Sequence, residues 1–178
     1  FVKLADNEFR TELITKIYSA TQRFAPDVLW NFDTVHQILI DSGNYVSSEI
    51  ISNFCELITK TPKLQQHAVS KLSESLLHFS ENQSLMQVSA FVIGEFALED
   101  KGAADSFRQI IKLPQTTFET QLYIITALSK MAVRFGDDKT PTLQIFAELA
   151  KSNNLEVQQR AGEMLQLIQI EGVGEQLL

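Results

Sequence analysis

The sequence predicts an all-α protein, a HEAT/armadillo-like α-solenoid of antiparallel helix pairs, and three observations carry that prediction. Apolar residues recur at helical spacing along nearly the whole chain, sustained two-residue alternation is almost absent, and the candidate helices begin at a regular step. Leu64, Ala68, Leu72, Leu76 and Phe79 form one stripe. Leu85, Val88, Val92 and Phe96 form a second, and Leu122, Ile125, Leu128, Ala132 and Phe135 a third.

The pattern places helices at about 7 to 23, 28 to 42, 47 to 60, 63 to 79, 85 to 98, 104 to 113, 118 to 135, 141 to 152 and 155 to 170. The second opens beyond an Ala-Pro-Asp turn, with Trp30 as a core residue and Asp33-Thr34 near its start, and Gly43 turns the chain into the third. Thr61-Pro62 separates the third from the fourth, because proline at a first helical turn loses no hydrogen bond. Ser84 with Gln87 has capping-box spacing before the fifth, and Thr116 with Glu119 repeats it before the seventh. Gly136 stands where a left-handed C-cap would close the seventh, and Asn153 with Glu156 opens the ninth. Alternate starts step by roughly 35 to 40 residues, the period of helix-hairpin repeats. "LQQHAVSKL" from Leu64 and "VQQRAGEML" from Val157 share residues at matching offsets. Short connections make consecutive helices antiparallel neighbours, and each hairpin buries its inner face by stacking on the next. The array covers 1–170, and 171–178 is expected to begin a hinge or disordered tail.

Composition narrows the function. At 178 residues, with 44% hydrophobic and 21% charged content, the chain can bury a substantial core. A net charge of −7 argues against nucleic acid as a partner, since that affinity comes mostly from cations meeting phosphates. No stretch has the apolar length needed to cross a bilayer, and "FVKLADNEF" lacks the regions of a secretory signal. One cysteine, Cys55, can form neither an internal disulfide nor a cysteine metal cluster, in keeping with a reducing, cytoplasmic setting. A start at Phe1 reads as a fragment of a longer chain.

The best chemical candidate is Asp33 with His36, which share a helix face at i, i+3. A zinc site needs three or four ligands, and His67 and His78 belong to another hairpin; a general base needs a nucleophile or pocket beside it. Catalytic, metal and cofactor sites are therefore expected to be none, an enzyme built on Asp33 and His36 being the distant alternative. The preferred reading has Asp33 interacting with the start of its helix and His36 half-exposed. Cys55 reads as a buried small hydrophobe. "GDDKT" lacks the first glycine and preceding strand of a phosphate loop. Trp30, Phe32, Phe54 and Phe91 read as core; a buried Trp30 replaced by alanine would cost ~3–5 kcal/mol. Gln159 and Arg160 are the candidate partner-binding residues, with a role tying adjacent layers together preferred.

Longer stretches resemble a known family. "KIYSATQRFAPDVLWNFDTVHQILIDSGNYVSSEIISNF" is similar to the adaptin trunk, in which an aromatic-Ala-Pro turn precedes tryptophan, Asp-Thr, a helix and a Gly-x-Tyr-Val turn. "LMQVSAFVIGEF" resembles that family's Gln-Val-x-x-x-x-Ile-Gly-Glu-aromatic helix, here Gln87, Val88, Ile93, Gly94, Glu95 and Phe96. "YIITALSKMAVRF" and "LEVQQRAGEMLQL", with Arg160, resemble the gamma branch. The connection "ALEDKGAADSF" is shorter than that branch's acidic loop, Phe24 and Phe96 replace tyrosines, and "GNYVSSE" suits the alpha branch of the endocytic adaptor equally. The motif residues carried over are Trp30, Asp33, Gly94, Glu95 and Arg160.

The resemblance implies the C-terminal half of a large-chain trunk, a scaffold for vesicle-mediated protein sorting. Its implied partners are a second large chain, a medium chain and a small chain. Clathrin, an Arf-family GTPase and a phosphoinositide membrane would be engaged through other parts of the parent complex. The implied location is cytoplasmic, peripheral on trans-Golgi network and endosomal membranes and on clathrin-coated vesicles. Coatomer-like and importin-like helical arrays are the other scaffold readings.

Overall fold

The computed structural model describes residues 7–76, 78–99, 102–135 and 139–170, and among them the regular structure is entirely helical. The helices are α1 (Asn7–Phe24), α2 (Val28–Ser42), α3 (Ser48–Lys60), α4 (Pro62–Leu76), α5 (Gln83–Phe96), α6 (Ala103–Ile110), α7 (Phe118–Phe135), α8 (Thr140–Leu149) and α9 (Leu155–Gln169). The fold is an all-α array of the HEAT-like class, as the periodicity predicts. Every expected helix is present, and most differences lie at the ends. α4 stops near Leu76, so Phe79 falls in the following turn and is exposed rather than closing the stripe. Gly136 and the segment 171–178 lie outside the described residues.

Helix starts show how the chain satisfies the N–H groups that a first turn leaves without partners. Asp27, in extended conformation, caps α2 by accepting from the Trp30 N–H at 2.8 Å. Ser47 caps α3, and Asn154, rather than Asn153, caps α9 by accepting from the Glu156 and Val157 N–H groups. The expected capping boxes are replaced by neighbouring residues. Asn82, not Ser84, accepts from the Leu85 N–H at 3.1 Å, and Thr117, not Thr116, accepts from the Thr120 N–H at 3.3 Å. Thr116 instead donates to the Ile110 carbonyl at 2.6 Å, closing the turn after α6. Pro62 begins α4, as expected. Gly43 has φ +61°, a conformation side-chain-bearing residues rarely adopt, and it turns the chain out of α2.

The chain divides into two compact units, Phe1–Val92 and Ile93–Leu178. In the first, α1 packs on α2 and α3 on α4, and the two hairpins meet where α2 stacks on α4. Phe32, Val35 and Leu39 of α2 are fully buried, as are Leu72 and Ala68 of α4. Ile14, Ile38 and Ile50 form a further cluster with Ile17, Tyr18, Tyr45 and Val46 against it. Gln22 and Asn31 exchange amide hydrogen bonds between α1 and α2. In the second unit, α7 is the shared wall: α6, α8 and α9 all pack on it, and α8 also packs on α9. Ile124, Ile125 and Leu128 of α7 and Val157 and Ala161 of α9 have no exposed surface. Each large aliphatic or aromatic side chain so buried contributes roughly 1.5–3 kcal/mol.

Trp30 departs from expectation. It is 44% exposed, because α2 buries the stripe through Phe32, Val35 and Leu39, and Trp30 lies about 200° around the helix from Phe32. Two stability measurements follow. Trp30→Ala is expected to cost less than about 1 kcal/mol in a denaturant titration, far below the cost of a core tryptophan. Ser89, in α5, is fully buried and its hydroxyl has no hydrogen-bond partner. Ser89→Ala removes that orphan at nearly constant volume and is expected to raise stability by about 1–2 kcal/mol in the same titration.

Candidate functional site

Asp33 and His36 do not face each other as a pair. They diverge from α2 toward different residues of α4. The Asp33 carboxylate meets His67 Nε2 at 2.9 Å in a partly exposed contact. His36 is 9% exposed rather than half-exposed, and its Nε2 lies 3.0 Å from Ser75 Oγ. Ser75 donates its own hydroxyl hydrogen to the Lys71 carbonyl at 2.9 Å, so its oxygen is left to accept and His36 Nε2 carries the proton. Asp33 therefore ties helices across the seam and leaves the capping of α2 to Asp27. His67, assigned by sequence to a separate hairpin, is Asp33's partner because that hairpin stacks on α2.

Phe32 sits at the centre of this group. Its ring stacks on His36 at 5.8 Å and on Phe54 of α3 at 5.2 Å, and meets His67 edge-on at 5.3 Å. Burial among these rings lowers the His36 pKa below its usual value; the charge of Asp33 opposes the shift, Lys71 and His67 add to it, and Glu74 opposes it. No group of three or more metal-ligating side chains occurs among the described residues. On the side of α2 away from α4, a groove of about 400 Å³ is lined by Ile14 and Ile17 of α1 with Trp30, Ile38, Asp33 and Asp41. Asp33 thus borders both the seam and the groove.

The Ile-Gly-Glu helix has a packing explanation. A Cβ placed on Gly94 would stand 2.9 Å from the Ala127 Cα, so only glycine lets α5 approach the α7 backbone this closely. One residue on, Glu95 forms an ion pair with Lys130, also on α7. Arg134, one turn further, donates to the Ala97 carbonyl at 3.2 Å and satisfies the end of α5. Glycine, acid and the two cations at i+3 and i+7 from Ala127 form one contact. The sequence carries this signal as small residues at 94 and 127 with opposite charges beside them.

Gln159 is exposed and Arg160 half-buried on α9, and neither makes a hydrogen bond or ion pair among the described residues, so the expected layer-tying role is not formed there. Cys55 is half-buried on α3, and desolvation pushes its thiol up to about 12. No helix among the described residues is long and apolar enough to cross a membrane.

These contacts define a helical-repeat scaffold in which a small set of polar residues joins helix to helix. The adaptin N-terminal region pattern matches residues 1–171, and the chain belongs to that family. It is 32% identical over 187 aligned residues to the AP-1 complex subunit gamma-1 of Mycosarcoma maydis, covering 94% of this chain and 21% of that protein. Against the AP-1 complex subunit gamma of Dictyostelium discoideum it is 30% identical, covering 92% and 21% respectively. An alpha-type relative, the AP-2 complex subunit alpha-1 of Arabidopsis thaliana, is 27% identical over 94% of this chain and 18% of its own length. The chain spans about a fifth of the length of these relatives.

The Cys55 environment gives a direct chemical test. At pH 7.5 a soluble disulfide reagent is expected to label the folded chain at least about 100-fold more slowly than the denatured chain, because only the thiolate attacks and burial holds the sulfur protonated.

Proposed function

We propose that this chain is part of the non-catalytic scaffold of a gamma-type clathrin-adaptor large subunit, and that its exposed helix faces hold other subunits of the adaptor. The carrying observation is the family pattern running through residues 1–171, together with similarity to proteins named as gamma subunits of an AP-1 complex. A second large chain, a medium chain and a small chain are the partners in this reading. Its setting is peripheral on trans-Golgi and endosomal membranes, where sorting of cargo into clathrin-coated vesicles takes place. Stacked helices suit the role because packing fixes their outer faces at set spacings.

Gln159 and Arg160 are proposed as partner contacts: both project polar groups from α9, and neither is used by a described neighbour. The alpha-type reading, placing the chain in an endocytic adaptor, has support from the 27% identical AP-2 relative.

Co-expression of the complete parent chain with candidate medium and small chains tests both proposals. Gamma-type companions are expected on the purified chain, and recovery of endocytic companions alone would move the assignment to the alpha branch. Arg160→Ala is expected to reduce the captured chains at least about tenfold with an unchanged melting temperature, equivalent to about 1.4 kcal/mol of binding. Unchanged assembly would remove Arg160 from the interface.

A further inference from the structure

Among the described residues, nothing covers the outer face of α9. Val157, Ala161 and Ile168 turn one side of the helix inward, and the opposite side carries Leu155, Gln159, Gly162, Gln166 and the cap residue Ile170 at helical spacing, so that they share one stripe. Leu155 and Ile170 are 67% and 52% exposed, and neither glutamine side chain has a hydrogen-bond partner among the described residues. A Cβ on Gly162 would meet nothing within 4 Å, whereas one on Gly94 would strike Ala127. Glycine weakens a helix interior relative to alanine, and nothing in the packing of this chain calls for it at 162. The stripe has the same order in both directions: apolar, glutamine, glycine, glutamine, apolar. Along one edge of it stand Arg160 and Glu163, opposite charges three residues apart and in no ion pair among the described residues.

We propose that α9 pairs with α9 of a second copy of this chain, antiparallel about a two-fold axis at Gly162. In that arrangement Leu155 meets Ile170 of the second copy, Gln159 meets its Gln166 and Arg160 meets its Glu163, and each contact occurs twice. A glutamine amide carries both donor and acceptor, so the Gln159–Gln166 pair satisfies itself. Gly162 at the crossing lets the two backbones come close, as Gly94 does between α5 and α7. The stripe carries no charge, so two chains of net charge −7 meet through it without like charges face to face. A parallel pair would set Arg160 against Arg160 and Glu163 against Glu163, which selects the antiparallel form.

A single helix crossing is smaller than the roughly 800 Å² per partner of a standard interface, so the pair is weak, with a dissociation constant on the order of 100 µM. Gln159 and Arg160 are also the residues proposed as contacts for a companion chain. The paired and companion-bound forms therefore exclude each other; that consequence rests on the adaptor reading, and the pairing itself does not.

Sedimentation equilibrium of the 178-residue chain tests the pairing. A monomer–dimer equilibrium is expected at concentrations up to about 1 mM. Gly162→Leu, whose side chain meets open space in the single chain, is expected to weaken it at least about tenfold without lowering the melting temperature. Gln159→Glu with Gln166→Glu sets like charges opposite each other and is expected to weaken it by a similar factor. Gln159→Lys with Gln166→Glu sets opposite charges in register and is expected to strengthen it at least about threefold. A chain that stays monomeric to about 1 mM, an unchanged equilibrium in Gly162→Leu, or equal effects of the two charge variants overturns the proposal. Association that persists in Gly162→Leu and is lost in Trp30→Ala would move the contact to the α1–α2 hairpin and overturn it equally. Capture of companion chains by the complete parent chain is scored separately. Its failure refutes the adaptor reading and leaves the pairing standing, and a monomeric chain that still captures companions refutes the pairing alone.

Discussion

The packing of Phe32 is the constraint around which the first unit is organised. The ring has no exposed surface, and it touches α3 through Phe54, α4 through His67, and its own helix through His36. A helix hairpin cannot cover both faces of its inner helix by itself, so α2 turns this ring toward the next hairpin. The polar groups near it are then obliged to find partners inside the same interface. Asp33 finds His67, and His36 finds Ser75. Placement of an apolar ring thus decides which polar residues meet.

The second unit solves the same problem by a different approach. Gly94 removes a side chain so that α5 lies against the α7 backbone, and Lys130 and Arg134 then reach Glu95 and the end of α5. Close backbone approach strengthens both polar contacts by keeping them partly dry; the Lys130 and Glu95 side chains are 19% and 31% exposed. Residues through which the sequence resembles the adaptin family, Gly94 and Glu95, are in this unit residues that fix how α5 lies against α7.

Much of this is legible in the sequence. Helical periodicity places every helix, because a stripe such as Leu64, Ala68, Leu72 and Leu76 has one geometric solution. Caps are harder: Asn82, Ser84, Thr116 and Thr117 are all chemically able, and the choice depends on which hydroxyl or amide is claimed by a distant carbonyl. Trp30 misleads when residue type is ranked above angular position, since the buried stripe of α2 already excludes it. The Asp33–His36 pairing fails for a related reason. Spacing of i, i+3 shows that two side chains share a face, but stacking on α4 offers each a better-placed partner. The Gly94 contact is visible as a motif, and its cause requires Ala127, 33 residues away.

The turn residues also bear on the order in which the chain acquires structure. Asn82 donates to the Leu39 carbonyl at 2.6 Å while capping α5, and the Asn44 side chain accepts from the Gln83 N–H at 2.7 Å. The first residues of α5 are thus held by groups about 40 residues upstream, across the whole α3–α4 hairpin. Closing a loop of that length has an entropic cost, which is smaller when the intervening helices have already collapsed into a hairpin. α5 therefore acquires its defined beginning only after the preceding layer is in place. As the chain emerges from synthesis, this sets α5 apart from α2, α3, α7 and α9, whose starts are capped by the residues just before them and need no earlier layer.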